Sequence, residues 1–110
     1  MTEAAAFERG QRKGEVLLTV SGELDIANAA AFRDQLGRLI AEAHSPALVD
    51  LSGVTFIDSS GLDALASTRR RAVDEGVDLI LVEPSSQVRR VLELTGLWTH
   101  FEVRPRGSDG

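Results

Sequence analysis

The chain contains no cysteine. That one absence removes disulfides, thiolate nucleophiles and the usual structural zinc ligands together. Histidine is nearly as scarce: His44 and His100 are the only two, and their distance in sequence argues against a metal site. Basic charge is short as well. A net charge of −5 argues against nucleic acid as a partner, because neutralising phosphates needs a basic surface. No apolar run approaches the roughly 20 residues of a membrane span. The opening residues Met1-Thr2-Glu3-Ala4-Ala5-Ala6 lack the basic start and apolar centre of a signal peptide. These absences predict a protein that stays in the cytoplasm and meets neither membrane nor nucleic acid. The glycines form neither G-x-G-x-x-G nor a P-loop, so no nucleotide cofactor is expected. Neither histidine adjoins a serine in a triad-like context, and no activated nucleophile is visible, so the chain is not expected to be an enzyme.

What is present suits one small globular domain. The 110 residues are enough for one domain and not two, and 43% apolar content allows a modest core. Residues 7–11 and 16–22 read as two strands joined by a turn at Arg12-Lys13-Gly14, a hairpin. A helix is expected over residues 27–43, with Phe32, Leu36, Leu39, Ile40 and Ala43 on one face. Asp25 is placed to cap it, and Ser45-Pro46 to stop it. Residues 47–51 are apolar except for Asp50, the mark of a buried central strand. A second helix over residues 62–75 turns Leu62, Leu65, Ala66, Arg69 and Val73 to one side and ends at Gly76. A strand over 77–82, a third helix capped by Ser85 or Ser86 and ended by Gly96, and a short strand over 99–103 complete the pattern. Residues 104–110 read as a flexible polar tail. The order β-β-α-β-α-β-α-β predicts an α/β fold, a mixed, mostly parallel sheet with covering helices.

Chemistry concentrates where the central strand hands over to the second helix, at Asp58-Ser59-Ser60-Gly61. A serine at a helix start has its hydroxyl at the positive end of the dipole, which favours a negative charge. Ser60 followed by Asp63 also fits the S-x-x-D/E capping pattern, so a purely structural serine is the competing reading. Asp25, Asp50 and Asp58 each read as ending a strand on one edge of the sheet, the edge where open α/β sheets bind ligands. The basic clusters Arg69-Arg70-Arg71 and Arg89-Arg90 read as solvated helix faces, with Asp74 and Glu93 as partners. Trp98 reads as a cover for the core, with an interface role as the alternative.

The run from Val49 to Leu62, Val-Asp-Leu-Ser-Gly-Val-Thr-Phe-Ile-Asp-Ser-Ser-Gly-Leu, resembles the signature of the STAS domain, the bacterial anti-sigma factor antagonists. Gly22-Glu23-Leu24-Asp25 is similar to that family's first block, and Leu94-Thr95-Gly96-Leu97 to its closing one. The resemblance covers about residues 7–103. It implies a protein that binds an anti-sigma factor, itself a serine kinase, and so releases a sigma factor. It implies that the kinase phosphorylates the second serine of the corner, Ser60, that the modified form no longer binds, and that a phosphatase acting on phospho-Ser60 resets it. Asp25, Asp58, Ser59, Ser60, Gly61 and Leu62 are then the expected partner-binding residues. The alternatives are a small-ligand or anion-binding STAS module and a component of a stress-signalling scaffold.

Overall fold

Apolar residues alternate along residues 16–24 and run through 47–51 and 79–82, which dictates a sheet with one large packed face and a smaller buried patch on the other. The computed structural model describes residues 4–44 and 46–106. Ser45, expected in the first helix stop, residues 1–3 of the opening segment and residues 107–110 of the tail lie outside the described residues. The strands are β1 (Ala6–Arg12), β2 (Glu15–Leu24), β3 (Ala47–Ile57), β4 (Leu79–Val82) and β5 (Glu102–Arg104). The helices are α1 (Ala29–Glu42), α2 (Ser59–Glu75) and α3 (Ser86–Leu94), with a single 3-10 turn over Trp98–His100 before β5. The strands lie in sequence order, β1-β2-β3-β4-β5. β1 and β2 form the expected antiparallel hairpin, and every later pairing is parallel. β3 is central and β1 is an edge, as the apolar run and the weak opening strand predict.

Each parallel crossover moves one strand onward in the same direction, and such crossovers are right-handed. α1, α2 and α3 therefore lie on one face of the sheet. Leu18, Val49 and Leu81, which pair across β2, β3 and β4, join Phe32, Leu36, Leu65, Val88 and Leu92 of the helices in one core cluster. The alternate residues Leu48, Ile80 and Val82, with Leu17 against them, form a small second cluster on the other face. The covering helices thus cover one face only. The ring of Phe7 stacks on Phe32 with centroids 6.0 Å apart, tying edge strand β1 to α1.

Several elements depart from expectation for local reasons. α1 begins at Ala29, with Asn28 in the cap position, because Asp25 to Asn28 are spent on a separate turn. The buried face of α1, Ala29, Phe32, Leu36, Leu39 and Ile40, is otherwise the expected one. α2 buries Gly61, Ala64, Leu65, Thr68 and Ala72, a stripe rotated from the expected one, and Val73 points to solvent. Ser85 caps α3 by accepting the Val88 amide at 3.3 Å. α2 and α3 both close through paired backbone bonds at a glycine, Val77 N–H to Ala72 and Leu97 N–H to Leu92, each 2.9 Å. Residues 99–100 belong to the 3-10 turn instead of the last strand. Two residues assigned to the tail belong to the fold: Arg104 ends β5, and Arg106 donates through its backbone to Glu83 at 2.9 Å and through its guanidinium to Asp50 at 3.0 Å.

Candidate functional site

The corner begins in β3. This strand gains residues against β2 at two places, between the Thr19/Asp50 and Ser21/Gly53 pairs and between the Gly22/Val54 and Glu23/Phe56 pairs. Such bulges bend and twist a strand and re-aim its side chains. The second leaves Thr55 and Phe56 exposed in succession before Ile57 turns back into the core. The Asp58 amide then donates to the Leu24 carbonyl at 3.0 Å, joining the ends of β2 and β3.

Asp58 is extended and caps α2. Its Oδ1 accepts the Ser60 amide at 2.8 Å and the Gly61 amide at 3.2 Å. This corrects the expectation that Ser60 is the cap with Asp63 reaching back. Aspartate is as good a capping residue as serine, and it comes two residues earlier at a strand end already extended. Asp63 instead lies on the exposed face, paired with Arg33 at 3.1 Å. Ser59 and Ser60 occupy the first turn of the helix. Ser59 is exposed and Ser60 half-buried, and the Ser60 hydroxyl makes no hydrogen bond among the described residues.

Gly61 is buried, and its place explains its identity. A Cβ there would stand 3.0 Å from Ile57 Cγ1 and Leu24 Cβ and 3.1 Å from the Leu24 carbonyl oxygen. Leu62 is half-buried and packs on the core cluster. Asp25 sits beside the corner because Leu24 does, but it does not cap α1. Its Oδ1 accepts the Ala27 amide at 3.0 Å, its carbonyl accepts the Asn28 amide at 3.1 Å, and its own amide donates to Asn28 Oδ1 at 3.0 Å. The structure thus brings Asp25, Asp58, Ser59, Ser60, Gly61 and Leu62 to one edge.

Asp50 is the exception among the three aspartates. It lies inside β3, seven positions short of the strand's last residue, Ile57. Its carboxylate accepts the Ser52 amide at 2.9 Å, the Ser52 hydroxyl at 2.7 Å and the Arg106 guanidinium at 3.0 Å. It secures the first bulge and has no place at the corner.

Two exposed apolar residues complete the edge and escape a reading of motifs. Ile26 is 83% exposed at the tip of the Asp25 turn, and Phe56 is 44% exposed at the second bulge. An isoleucine inside an otherwise polar turn was the available signal for the first. The register slip that turns Phe56 outward leaves no trace in local composition. Glu23, Asp25 and Asp58 form no ion pair among the described residues, so this edge is acidic and unneutralised. The basic clusters are engaged elsewhere: Arg71 with Glu75 at 2.6 Å, Arg89 with Glu93 at 3.4 Å, and Arg69 with the His100 carbonyl at 2.6 Å. Glu93 is the expected partner and Glu75 replaces Asp74. Trp98 is half-buried, with the Arg89 guanidinium 4.8 Å from its ring centre. Among the described residues no cluster of three or more His, Asp or Glu side chains converges to hold a metal, and no helix is long and apolar enough to cross a membrane.

Comparison with known proteins agrees with this geometry. A family model described as "STAS domain" matches residues 6–109. The anti-sigma-F factor antagonist RsfB of Mycobacterium tuberculosis is 34% identical over 90 residues, 82% of this chain and 73% of that protein. The crystal structure of an anti-sigma factor antagonist from Mycobacterium paratuberculosis superposes with a TM-score of 0.84 at 30% identity, covering 96% of this chain and 90% of that one. The anti-sigma factor antagonist SpoIIAA in its unphosphorylated form superposes with a TM-score of 0.70 at 26% identity, covering 92% and 90%.

Proposed function

This chain belongs to the STAS domain family, and from that premise we propose that it is an anti-sigma factor antagonist switched by phosphorylation of Ser60. In its unmodified form it binds an anti-sigma factor with serine kinase activity and so frees a sigma factor. Phosphate transfer to the Ser60 hydroxyl ends the complex, and a phosphatase acting on phospho-Ser60 restores it.

The observation that carries this reading is the pairing of an unbonded Ser60 hydroxyl with a helix N-terminus already filled by Asp58. A phosphate adds about −1.5 to −2 charge near neutral pH. Here it would find the amides of Ser60 and Gly61 taken and the carboxylates of Asp58 and Asp25 close by. The charge is therefore displayed at the edge, where a partner packed against the corner meets it directly. Displacing that partner needs only a few kcal/mol against an interface of about −8 to −10 kcal/mol.

The same observation disfavours the small-anion reading, since the donors a free anion would use already hold Asp58. The test uses the purified anti-sigma factor kinases of the host with ATP, followed by intact mass and peptide mapping. One kinase is expected to add a single phosphate at Ser60, and Ser60→Asp is expected to bind that kinase at least tenfold more weakly, about 1.4 kcal/mol. Phosphate mapped to another residue, or undiminished binding by Ser60→Asp, refutes the switch.

A further inference from the structure

We propose that Ile26 is the apolar anchor of the partner interface, entering a socket on the anti-sigma factor beside Ser60. The proposal deepens the antagonist reading and rests on it.

Among the described residues four large apolar side chains are exposed: Ile26, Phe56, Val73 and Leu94. Val73 stands near the end of α2 and Leu94 closes α3, and both helices run away from the switch edge. Ile26 and Phe56 are the two on elements that end at that edge, one from the turn after β2 and one from the end of β3. A lone exposed apolar residue needs no explanation. Two of them at the edge that carries a modifiable serine, on elements joined by the Asp58-to-Leu24 hydrogen bond, do.

Ile26 is the more informative of the pair because its turn does not require it. The turn is held by the Asp25 amide donating to Asn28 Oδ1, the Asn28 amide donating to the Asp25 carbonyl, the Ala27 amide donating to Asp25 Oδ1, and the Asn28 side-chain amide donating to the Glu23 carbonyl. Any small polar residue would serve at the tip. The hydrogen bonds do fix the tip backbone, and a β-branched side chain has few rotamers to lose. Ile26 is thus displayed in a preorganised state, at 83% exposure, where docking costs little ordering entropy.

The surroundings define the occupant. Glu23, Asp25 and Asp58 border this apolar pair without ion pairs among the described residues. A complementary surface must therefore combine an apolar socket with hydrogen-bond donors at its border. Seating Ile26 in such a socket requires the two surfaces to meet closely at Ser60. A phosphoryl group there holds them apart, so the anchor and the switch act on the same contact.

The experiment measures binding to the host kinase that phosphorylates Ser60, by calorimetric titration. Ile26→Ser is expected to weaken binding at least tenfold and Ile26→Val less than threefold, while Val73→Ser leaves it unchanged. The double variant Ile26→Ser with Ser60→Asp is expected to be little weaker than either single one, because each removes the same seating. Circular dichroism and melting of Ile26→Ser should match the parent, since the residue is almost wholly exposed. If Ser60→Asp loses binding while Ile26→Ser retains it within twofold, the anchor is overturned and the antagonist reading stands. If no host kinase binds the parent protein, both fall.

Discussion

Removing the carboxylate at the start of α2 leaves the Ser60 and Gly61 amides without the acceptor they now share. Asp58→Ala should therefore cost about 0.5–2 kcal/mol, the usual cost of losing an N-cap. Ser60→Ala removes a hydroxyl that bonds nothing described and should stay within about 0.5 kcal/mol of the parent. Urea midpoints at equal slope decide between these two residues. A larger loss for Ser60→Ala than for Asp58→Ala would return the cap to the serine. Gly61 belongs to the same corner but fails differently. Its missing Cβ faces Leu24 backbone and the Leu24 and Ile57 side chains at 3.0–3.1 Å, and backbone cannot step aside. Gly61→Val should destabilise by about 1–3 kcal/mol or more through overpacking. Any loss of phosphate acceptance in that variant would then report a displaced helix start.

At the scale of elements, what was legible depended on side-chain size. The long apolar residues of α1 repeat at helical spacing, and the structure buries that same face. The α2 stripe was misread because its core positions are small. Gly61, Ala64 and Ala72 barely register in an apolar count, and Thr68 enters the core only because its hydroxyl bonds the Ala64 carbonyl at 2.8 Å. Leu62 does pack on the core, and Val73, which is exposed, is the residue that points to the wrong side. The β3 bulges were illegible for another reason, since they arise from pairing with β2 and not from any local residue preference. The corrected stripe makes a prediction: Val73→Ser should change stability by less than about 0.5 kcal/mol, whereas Ala72→Leu should cost about 1–3 kcal/mol. Equal effects would restore the other face. Gly37, unexplained by the sequence, lies under Arg71, whose guanidinium nitrogen would be 2.9 Å from an added Cβ. That nitrogen is the far end of an exposed, flexible side chain, which can yield. Gly37→Ala should then gain most of the roughly 1 kcal/mol that alanine holds over glycine in a helix. A lower melting temperature would show that Arg71 cannot move.

For the whole molecule, the decisive feature is that Ser60, the proposed switch, sits on the rim of a sheet whose helices share one face. The core cluster joins β2, β3 and β4 to all three helices, and none of its members is Ser60. The connection from corner to core runs through Gly61, Leu24 and Ile57, which are packed too closely to shift in small steps. The corner's carboxylate hydrogen bonds are local as well, since the Asp58 side chain holds its own helix start and that of Asp25 its own turn. A phosphate on Ser60 should accordingly alter charge and bulk at the edge without moving the scaffold. Hydrogen exchange followed by mass spectrometry, comparing the protein before and after phosphorylation, tests this directly. Changes are expected only in peptides spanning residues 24–28 and 56–64, with β3, β4 and α1 exchanging at unaltered rates. Altered protection in β4 or the middle of α1 would mean that the phosphate acts by remodelling the fold. Partner release would then need a conformational account in place of one written at the contact itself.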